Sequence, residues 1–389
     1  MNAAQSFEVS PEVLRWAREQ RGLNSELAAK RLGIKEASLL AIEAGERQPS
    51  LSQLRRMAEH YRRPLIVLLL DEPPTTFTPL RDFRRLPSAE IGSFSPALHD
   101  EMKRAAEQQE IYAELKQQMG EELSRPALPA DTGDPSSLGR SLIALLGVSD
   151  RDRGSWTDAR VALSQWRSRV EALNILVLET SRVKTSEMRG FSLSERLPLV
   201  IVLNGEDSDR GKIFTLLHEL AHLSLREPGV CDLHTRGESS SDVEVYCNAV
   251  ASEALLPQAW LDRHPTFERH SDNEPWSDVE LDAISRSSGG ASREVVLRRL
   301  RDLWLISREE YESRRQDLIE AYEKFRAERR KRTKGGPQPY IMQLRDRGRP
   351  FMRSVFDAYA DGLVDLSQVV DLAGVRTKHL EKLQNEAYK

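Results

Sequence analysis

The stretch TLLHELAHLSL, Thr215–Leu225, decides the fold of the central part of this 389-residue chain. Its leucines recur at helical spacing, which predicts a buried α-helix. A buried helix tolerates ionisable groups only where they are paired or bind a cation, and this one carries His218, Glu219 and His222. Because His218 and His222 are four residues apart, they lie on one face of the helix, one turn apart. The stretch therefore predicts a metal site.

Two neutral imidazoles suit Zn²⁺, which catalytic sites hold with three protein ligands and one open position. Glu219 follows His218 directly, so we expect it to act on water as a general base rather than as a ligand. The next predicted helix, DVEVYCNAVASEALL at 242–256, offers Glu244 as the third ligand. Asn248, one turn later, would orient that ligand. The expected reaction is hydrolysis of a peptide bond.

The residues alone leave the third ligand position open. Asp242, His234, Cys231 and Glu253 compete with Glu244 for it. Cys231 and His234 also suggest a separate structural zinc site, which would need Cys247 and a further ligand at no standard spacing. Buried thiols and a loop histidine are the simpler interpretation of these residues.

Two quoted blocks carry a resemblance to a known family: RGFSLSERLPLVIVLNGEDSDRGKIFTLLHELAHLSL at 189–225 and VEVYCNAVASEALLP at 243–257. They resemble the ImmA/IrrE metallopeptidase family, in which a strand pair precedes a helix with HExxH and a helix with E-x-x-[AC]-N-x-x-A. The resemblance covers about 155–310 and implies a gluzincin-like domain. It implies zinc ligands at His218, His222 and Glu244 and a base at Glu219; Val250 replaces a frequent phenylalanine. Members of the family tend to cleave a helix-turn-helix repressor, and some regulate without established proteolysis.

The N-terminal segment RGLNSELAAKRLGIKEASLLAIEAGERQPSLSQLRRMAEHY, 21–61, resembles the Xre/Cro-type helix-turn-helix. Gly33 is expected at the turn before the recognition helix, and IEAGERQPS matches the motif I-E-x-G-x-R-x-P-S. Phosphate contacts are expected from Asn24 and Ser25 at the start of the second helix. The expected DNA-reading face consists of Lys35, Glu36, Ala37, Ser38 and Ala41.

The composition of this recognition helix is unusual for DNA binding. Base readers are commonly Arg, Lys, Asn or Gln, whereas the helix offers Glu36, Ala37, Leu40 and Ala41. Phosphate repels Glu36, although its carboxylate could accept a hydrogen bond from a cytosine amino group. Residues 1–70 carry eleven Lys and Arg against eight Asp and Glu, a small positive excess. Binding of a DNA operator is the first interpretation; recognition of a protein partner or dimerisation is the alternative.

The predicted fold class is α+β and helix-rich, with an all-α helix-turn-helix domain, a gluzincin-like metallopeptidase domain with a small sheet, and a helical C-terminal tail. Prolines and charge runs divide the chain into 1–72, a linker with a helical spacer at 73–137, the metallopeptidase domain at 138–310, and a charged helix with a C-terminal unit at 311–389. In that unit, DGLVDLSQVVDLAGVRTKHLEKL, 361–383, has a helix-turn-helix pattern with Gly374 at the turn; we interpret it as a helical cap. The run RRKRTK, 329–334, is interpreted as a solvated helix end.

The overall composition limits the classes of function. A net charge of −4 confines nucleic-acid binding to local patches, and two cysteines argue for a reducing, cytoplasmic setting. The N-terminus shows no signal-peptide pattern, and no apolar run is long enough for a bilayer, so we expect no membrane partner. The first hypothesis is a cytoplasmic regulator with a zinc endopeptidase domain that cleaves a repressor or toxin, plausibly the product of a neighbouring gene. The second is a non-proteolytic, antitoxin-like regulator that binds DNA and protein and uses zinc structurally or as a sensor. A homodimer is a further expectation under either hypothesis.

Overall fold

A computed structural model describes the chain in several stretches. They are residues 9–19, 21, 23–61, 63, 65–73, 95–130, 133–156, 158–225, 240–271, 274–332 and 338–389. The chain divides into two compact units, Met1–Arg104 and Ala105–Lys389. Helix α5 covers Pro96–Gln118. The four-part division of the chain at residues 72, 137 and 310 stays a prediction.

The N-terminal unit contains a bundle of short helices. They are α1 (Pro11–Glu19), α2 (Ser25–Leu32), α3 (Glu36–Glu43) and α4 (Leu51–Tyr61), followed by a 3-10 helix at Leu65–Leu69. Asn24 caps α2, because its side chain accepts a hydrogen bond from the backbone N–H of Leu27. Gly33 ends α2 in the left-handed region at φ 66°, as expected for the turn before the recognition helix.

A buried ion pair fixes α1 against α3 in this unit. Arg18 donates from Nε to Glu43 Oε1 at 2.7 Å and from Nη2 to Glu43 Oε2 at 2.9 Å. Its Nη1 donates to the carbonyl of Leu23 at 2.7 Å. Because both partners are buried, removing either would leave an uncompensated charge in the core. The pair therefore fixes the orientation of α3 within the unit.

The second unit contains a three-stranded mixed sheet of β1 (Ile175–Thr180), β2 (Gly190–Leu193) and β3 (Leu199–Asn204). The strand order is β1-β3-β2, with β1 parallel and β2 antiparallel to β3. Every residue of the three strands is buried. The continuous apolar runs ILVL and LVIVL reflect this burial on both faces.

Helices surround this sheet along the rest of the unit. The first group is α6 (Pro135–Leu146), α7 (Asp150–Ser155), α8 (Ala159–Glu171), α9 (Asp209–Ser224) and α10 (Ser240–Leu255). Next come α11 (Gln258–Leu261), α12 (Pro265–Arg269), α13 (Asp278–Ser287), α14 (Arg293–Asp302) and α15 (Arg308–Arg332). The chain ends with α16 (Pro339–Arg347), α17 (Arg349–Ala360), α18 (Leu366–Ala373), a 3-10 helix at Thr377–His379, and α19 (Leu380–Tyr388).

Helix α9 lies at the centre of the second unit, where β2, β3, α8 and α10 all contact it. Helix α10 packs in turn against α6, α9 and α14. At the crossing with α6, Gly139 allows a close approach, since a Cβ there would lie 3.0 Å from the carbonyl oxygen of Val250. This packing brings the two helices that carry the predicted metal ligands side by side.

Two buried arginines hold the C-terminal end of α10. Arg153 donates to the carbonyls of Leu255 and Ala254 at 2.7 and 2.8 Å, and Arg299 donates to the carbonyl of Leu256 at 3.0 Å. These carbonyls lack partners within the helix, and positive charge suits the negative end of a helix dipole. The arginines therefore fix how far α10 extends along α9.

The predicted fold class is confirmed: the protein is helix-rich, with helix-turn-helix helices at the N-terminus, a small mixed sheet and C-terminal helices. Strand β2 was not predicted separately, because GFSL is only four residues long. None of the described helices is both long enough and apolar enough to cross a membrane.

Candidate metal centre

The two predicted histidine ligands lie on the most deeply buried helix of the second unit. Helix α9 is capped by Ser208, whose side chain accepts a hydrogen bond from the backbone N–H of Gly211. His218 is fully buried, and the His222 side chain is 12 % exposed. The leucines around them are buried on all sides of the helix, which leaves the histidine face as its polar stripe.

Glu244 of α10 meets these histidines at one point. The Nε2 atoms of His218 and His222 are 3.0 Å apart. Glu244 places Oε2 3.3 Å from Nε2 of His218 and Oε1 3.2 Å from Nε2 of His222. Ligand atoms at 2.0–2.1 Å around a tetrahedral ion lie about 3.3–3.4 Å from one another. The spacing of the three donors therefore fits the face of a tetrahedral zinc site.

Hydrogen bonds alone would not satisfy this triangle. Each Nε2 carries at most one hydrogen, so two protonated Nε2 atoms would repel each other at 3.0 Å. If only one is protonated, the other nitrogen and the carboxylate present lone pairs to each other. A single cation satisfies all three donors together. The donor set of two imidazoles and one carboxylate is also one that zinc uses in catalytic sites.

The charges of the cluster influence one another. Burial lowers the pKa of His222, but its hydrogen bonds to Cys247 and Glu244 outweigh this, and the pKa lies well above the usual value. Burial raises the pKa of Glu244, but His218 and His222 outweigh this and hold it well below its usual value. The Glu244 side chain is 28 % exposed, so the cluster opens to solvent on that side. An open side is what a substrate or water requires.

The competing ligands do not join this cluster among the described residues. His218, His222 and Glu244 form the one group of potential ligands that the described stretches contain. Asp242 is exposed. Glu253 is buried near the other end of α10, where it pairs with Arg299. Cys231 and His234 lie outside the described residues.

Comparison with known families matches two parts of the chain. Residues 14–68 match a helix-turn-helix family, and residues 170–301 match a peptidase family described as the IrrE N-terminal-like domain. The central part of the chain is therefore similar to the IrrE N-terminal-like domain, and it is called the IrrE-like domain below. No curated protein and no solved structure was found to match the chain.

The IrrE-like domain spans the whole sheet, α9 and α10, so the cluster lies within the matched region. Peptidases of this family are typically metal-dependent. The order of the two matches also confirms the resemblance drawn from the sequence, a helix-turn-helix domain followed by a metallopeptidase-type domain. The roles of the individual residues stay predictions.

Glu219 lies beside the cluster in a tightly packed setting. It is 2 % exposed. Burial is the main cause of the raised pKa of the Cys247 thiol, and the negative charge of Glu219 adds to it. The edge strand β2 passes directly over it, because a Cβ on Gly190 would lie 3.5 Å from Cγ of Glu219 and 2.4 Å from Cγ2 of Thr215. Glycine at position 190 thus permits the close approach of strand and helix at the predicted base.

Replacing Gly190 with Ala is expected to lower the stability of the IrrE-like domain by about 1–3 kcal/mol, because the new methyl group overlaps Thr215. The same displacement would shift Glu219 and reduce any hydrolysis. Gly154→Ala is the matched control: it lies in α7 with open space around its Cβ position, and we expect it to stabilise slightly. Urea unfolding of both variants measures the difference; equal stability would contradict the close approach.

Cys247 is a residue of the site that sequence reasoning passed over as an ordinary buried thiol. It is fully buried and hydrogen-bonds His222, while burial raises the pKa of the thiol. Its position three residues after Glu244 places both side chains on one face of α10. That spacing was the signal in the sequence. The hydrogen bond between the thiol and the His222 ring restricts the orientation of that imidazole.

The predicted DNA-binding residues lie at the start of α2 and along α3. Lys35, Glu36 and Ala37 are exposed, whereas Ser25, Ser38 and Ala41 are half-buried. The Ser25 hydroxyl donates to the Glu36 carboxylate at 2.5 Å, which draws this acidic group towards α2. Asn24 is exposed, and its side chain is engaged in capping α2. The structure thus brings the predicted residues together on the helix-turn-helix, and their contacts with DNA remain a prediction.

Proposed function

We propose that this protein is a cytoplasmic transcriptional or mobile-element regulator whose IrrE-like domain is a zinc-dependent endopeptidase. Its substrate would be a partner protein such as a repressor or toxin, encoded by a neighbouring gene. One observation carries the proposal: two imidazoles and a carboxylate converge at 3.0–3.3 Å directly beside the buried Glu219. A purely structural zinc site would not need that additional carboxylate.

In this proposal His218, His222 and Glu244 hold the metal, and Asn248 supports Glu244 from one helical turn away. A zinc ion held there would polarise the scissile carbonyl and lower the pKa of water towards about 7. Glu219 accepts the proton of the attacking water as the C–O bond forms. It then donates that proton to the leaving nitrogen as the C–N bond breaks. Burial keeps bulk water from competing for this proton.

The helix-turn-helix domain would bring this activity to a DNA operator, through Lys35, Glu36, Ala37, Ser38 and Ala41 at the bases and Asn24 and Ser25 near phosphate. A homodimer would match the two-fold symmetry that such operators often have. A gel-shift assay on the protein's own promoter tests this step at stated salt concentrations. Absence of salt-sensitive retardation would contradict it.

Co-expression with the products of the neighbouring genes, each tagged at both ends, tests the proteolytic step. We expect one partner to be cut into two fragments by the zinc-loaded chain. A chelator should stop the cleavage of the purified partner, and added zinc should restore it. If every partner stays full length beside the zinc-loaded chain, the antitoxin-like alternative with structural or sensory zinc replaces the proposal.

A further inference from the structure

The C-terminal unit repeats the backbone geometry of the N-terminal helix-turn-helix. Asn24 caps α2 at φ −70° and ψ 166°, and Asp365 caps α18 at φ −90° and ψ 171°. Nine positions later, both helices end at a left-handed glycine, Gly33 at φ 66° and ψ 35° and Gly374 at φ 66° and ψ 26°. The turn thus has the same length and the same hand in both units.

The second helices also begin alike. Two residues after each glycine, Lys35 stands at φ −71° and ψ 143° and Arg376 at φ −70° and ψ 150°. The apolar positions then coincide: Leu39 and Ile42 are buried in the first unit, and Leu380 and Leu383 in the second. The second helix of the C-terminal unit begins with a 3-10 turn at Thr377–His379 and continues as α19. The agreement covers both caps, the turn and the inward face.

The outward faces differ in charge. The predicted DNA-reading positions of the first unit are Lys35, Glu36, Ala37, Ser38 and Ala41. In the same order, the C-terminal unit has Arg376, Thr377, Lys378, His379 and Lys382. Three of these are permanently cationic, and none is acidic. Arg, Lys and Thr are residues that read base edges or contact phosphate. The acidic Glu381 takes the position of Leu40, outside this set.

The packing of the unit leaves this face exposed. Arg376, Thr377, Lys378 and Lys382 are exposed. The far end of α19 is tied down instead, because Arg349 and Arg353 of α17 donate to the carbonyls of Glu386 and Ala387. The two arginines therefore hold the C-terminal end of the helix. The N-terminal end enters the major groove in helix-turn-helix proteins. Among the described residues, this end has no comparable hydrogen bond from an arginine, and His379 there stacks on Tyr340.

Attachment to the rest of the second unit runs through α16. Arg345 donates to the Ser181 hydroxyl at 3.1 Å and lies 3.6 Å from Glu179. Gly348 approaches the backbone of β1 so closely that a Cβ would lie 2.9 Å from the carbonyl oxygen of Val177. Helices α18 and α19 pack against α16 and α17. If the C-terminal unit only covered the sheet, α16 and α17 would be sufficient. The three exposed cations Arg376, Lys378 and Lys382 would then have no role.

We propose that α18 and the helix beginning at Thr377 form a second helix-turn-helix that binds duplex DNA through Arg376, Thr377, Lys378, His379 and Lys382. This site goes beyond the proposed endopeptidase and does not depend on it. His379 is positioned by its stacking on Tyr340, with ring centroids 6.1 Å apart. Charge complementarity selects nucleic acid as the partner, and a helix-turn-helix geometry selects the major groove of a duplex.

The test uses the full chain and a fluorescent duplex pool with randomised internal sequence, measured by anisotropy at several salt concentrations. The triple variant R376A/K378A/K382A is expected to bind at least tenfold more weakly at the lowest salt concentration. Loss of about three phosphate contacts should also reduce the slope of log affinity against log salt by about three. The exposed positions keep the fold intact, which thermal unfolding verifies.

Two comparisons make the result specific. R263A/R286A/R308A removes three cations whose side chains are 65, 77 and 81 % exposed in other parts of the second unit, so it controls for net charge. K30A/R31A/K35A removes three cations from the N-terminal helix-turn-helix. The proposal is overturned if R376A/K378A/K382A binds no more weakly than the charge control. It is also overturned if the unmodified chain does not bind duplex DNA or binds single-stranded RNA more tightly.

Discussion

Glu219→Gln is expected to reduce cleavage of the partner protein by roughly 10²–10⁴-fold, the usual contribution of a positioned general base. The amide has almost the shape of the carboxylate but does not accept a proton. Because Glu219 is 2 % exposed and closely packed under β2, the isosteric change should leave the fold unchanged. His218, His222 and Glu244 are untouched, so zinc content should stay at the wild-type level. Cleavage rate and zinc content, measured on the same preparation, give the result.

An exposed glutamate of the same domain provides the control for this substitution. Glu268→Gln makes the same chemical change in α12 and should alter neither cleavage nor zinc content. Undiminished cleavage by Glu219→Gln would show that this carboxylate is not the base. Undiminished biological effect without any cleavage would favour the antitoxin-like regulator, in which zinc binding alone matters.

The helices of the candidate site were predictable because their signals are local. Leucines at helical spacing and histidines four residues apart specify α9 and its polar stripe without reference to the rest of the chain. The pattern of α10 likewise predicts a helix that ends before Pro257. These signals depend on backbone geometry within a few turns, so no long-range contact is needed to read them.

The choice between carboxylates on α10 could not be made in the same way. Asp242, Glu244 and Glu253 share one helix, and which of them faces the histidines depends on the rotation and offset of α10 against α9. The offset is set by Gly139, where α6 crosses α10, and by Arg153 and Arg299 at its C-terminal end. These contacts join residues far apart in sequence. A single sequence does not reveal them.

Two further features also depend on contacts between residues far apart in sequence, and the sequence analysis did not predict them. They are the close approach at Gly190 and the exposed cationic face of the C-terminal helix-turn-helix. GFSL is short for a strand. The need for glycine at position 190 comes from the closeness of Thr215, which the sequence alone does not reveal. The helix-turn-helix pattern around Gly374 was recognised in the sequence, but it was interpreted as a cap. The exposure of Arg376 and Lys378, which depends on how α19 is tied to α17, was needed to change that interpretation.

Glu244→Ala is expected to weaken zinc binding by more than about 100-fold, because removing a direct ligand should exceed the 10–100-fold cost of losing a residue that supports one. The two imidazoles alone would fill only half of the four tetrahedral positions of the cation. Zinc at 100 times its dissociation constant would stabilise the unmodified domain by about 2.7 kcal/mol, and the variant should lose most of this. Competition with a chromophoric chelator and zinc-dependent thermal unfolding measure the two effects.

Asp242→Ala tests whether the loss of zinc affinity is specific to Glu244. It removes a carboxylate from the same helix, two residues away and exposed, so general loss of negative charge near the site is matched. We expect this control to bind zinc as the unmodified chain does, since His218, His222 and Glu244 keep their spacing of 3.0–3.3 Å. If Glu244→Ala retains full zinc affinity, the third ligand must come from another residue, and Cys231→Ser and His234→Ala become the variants that locate it. The three-atom convergence on α9 and α10 would then be a contact between side chains rather than the zinc site.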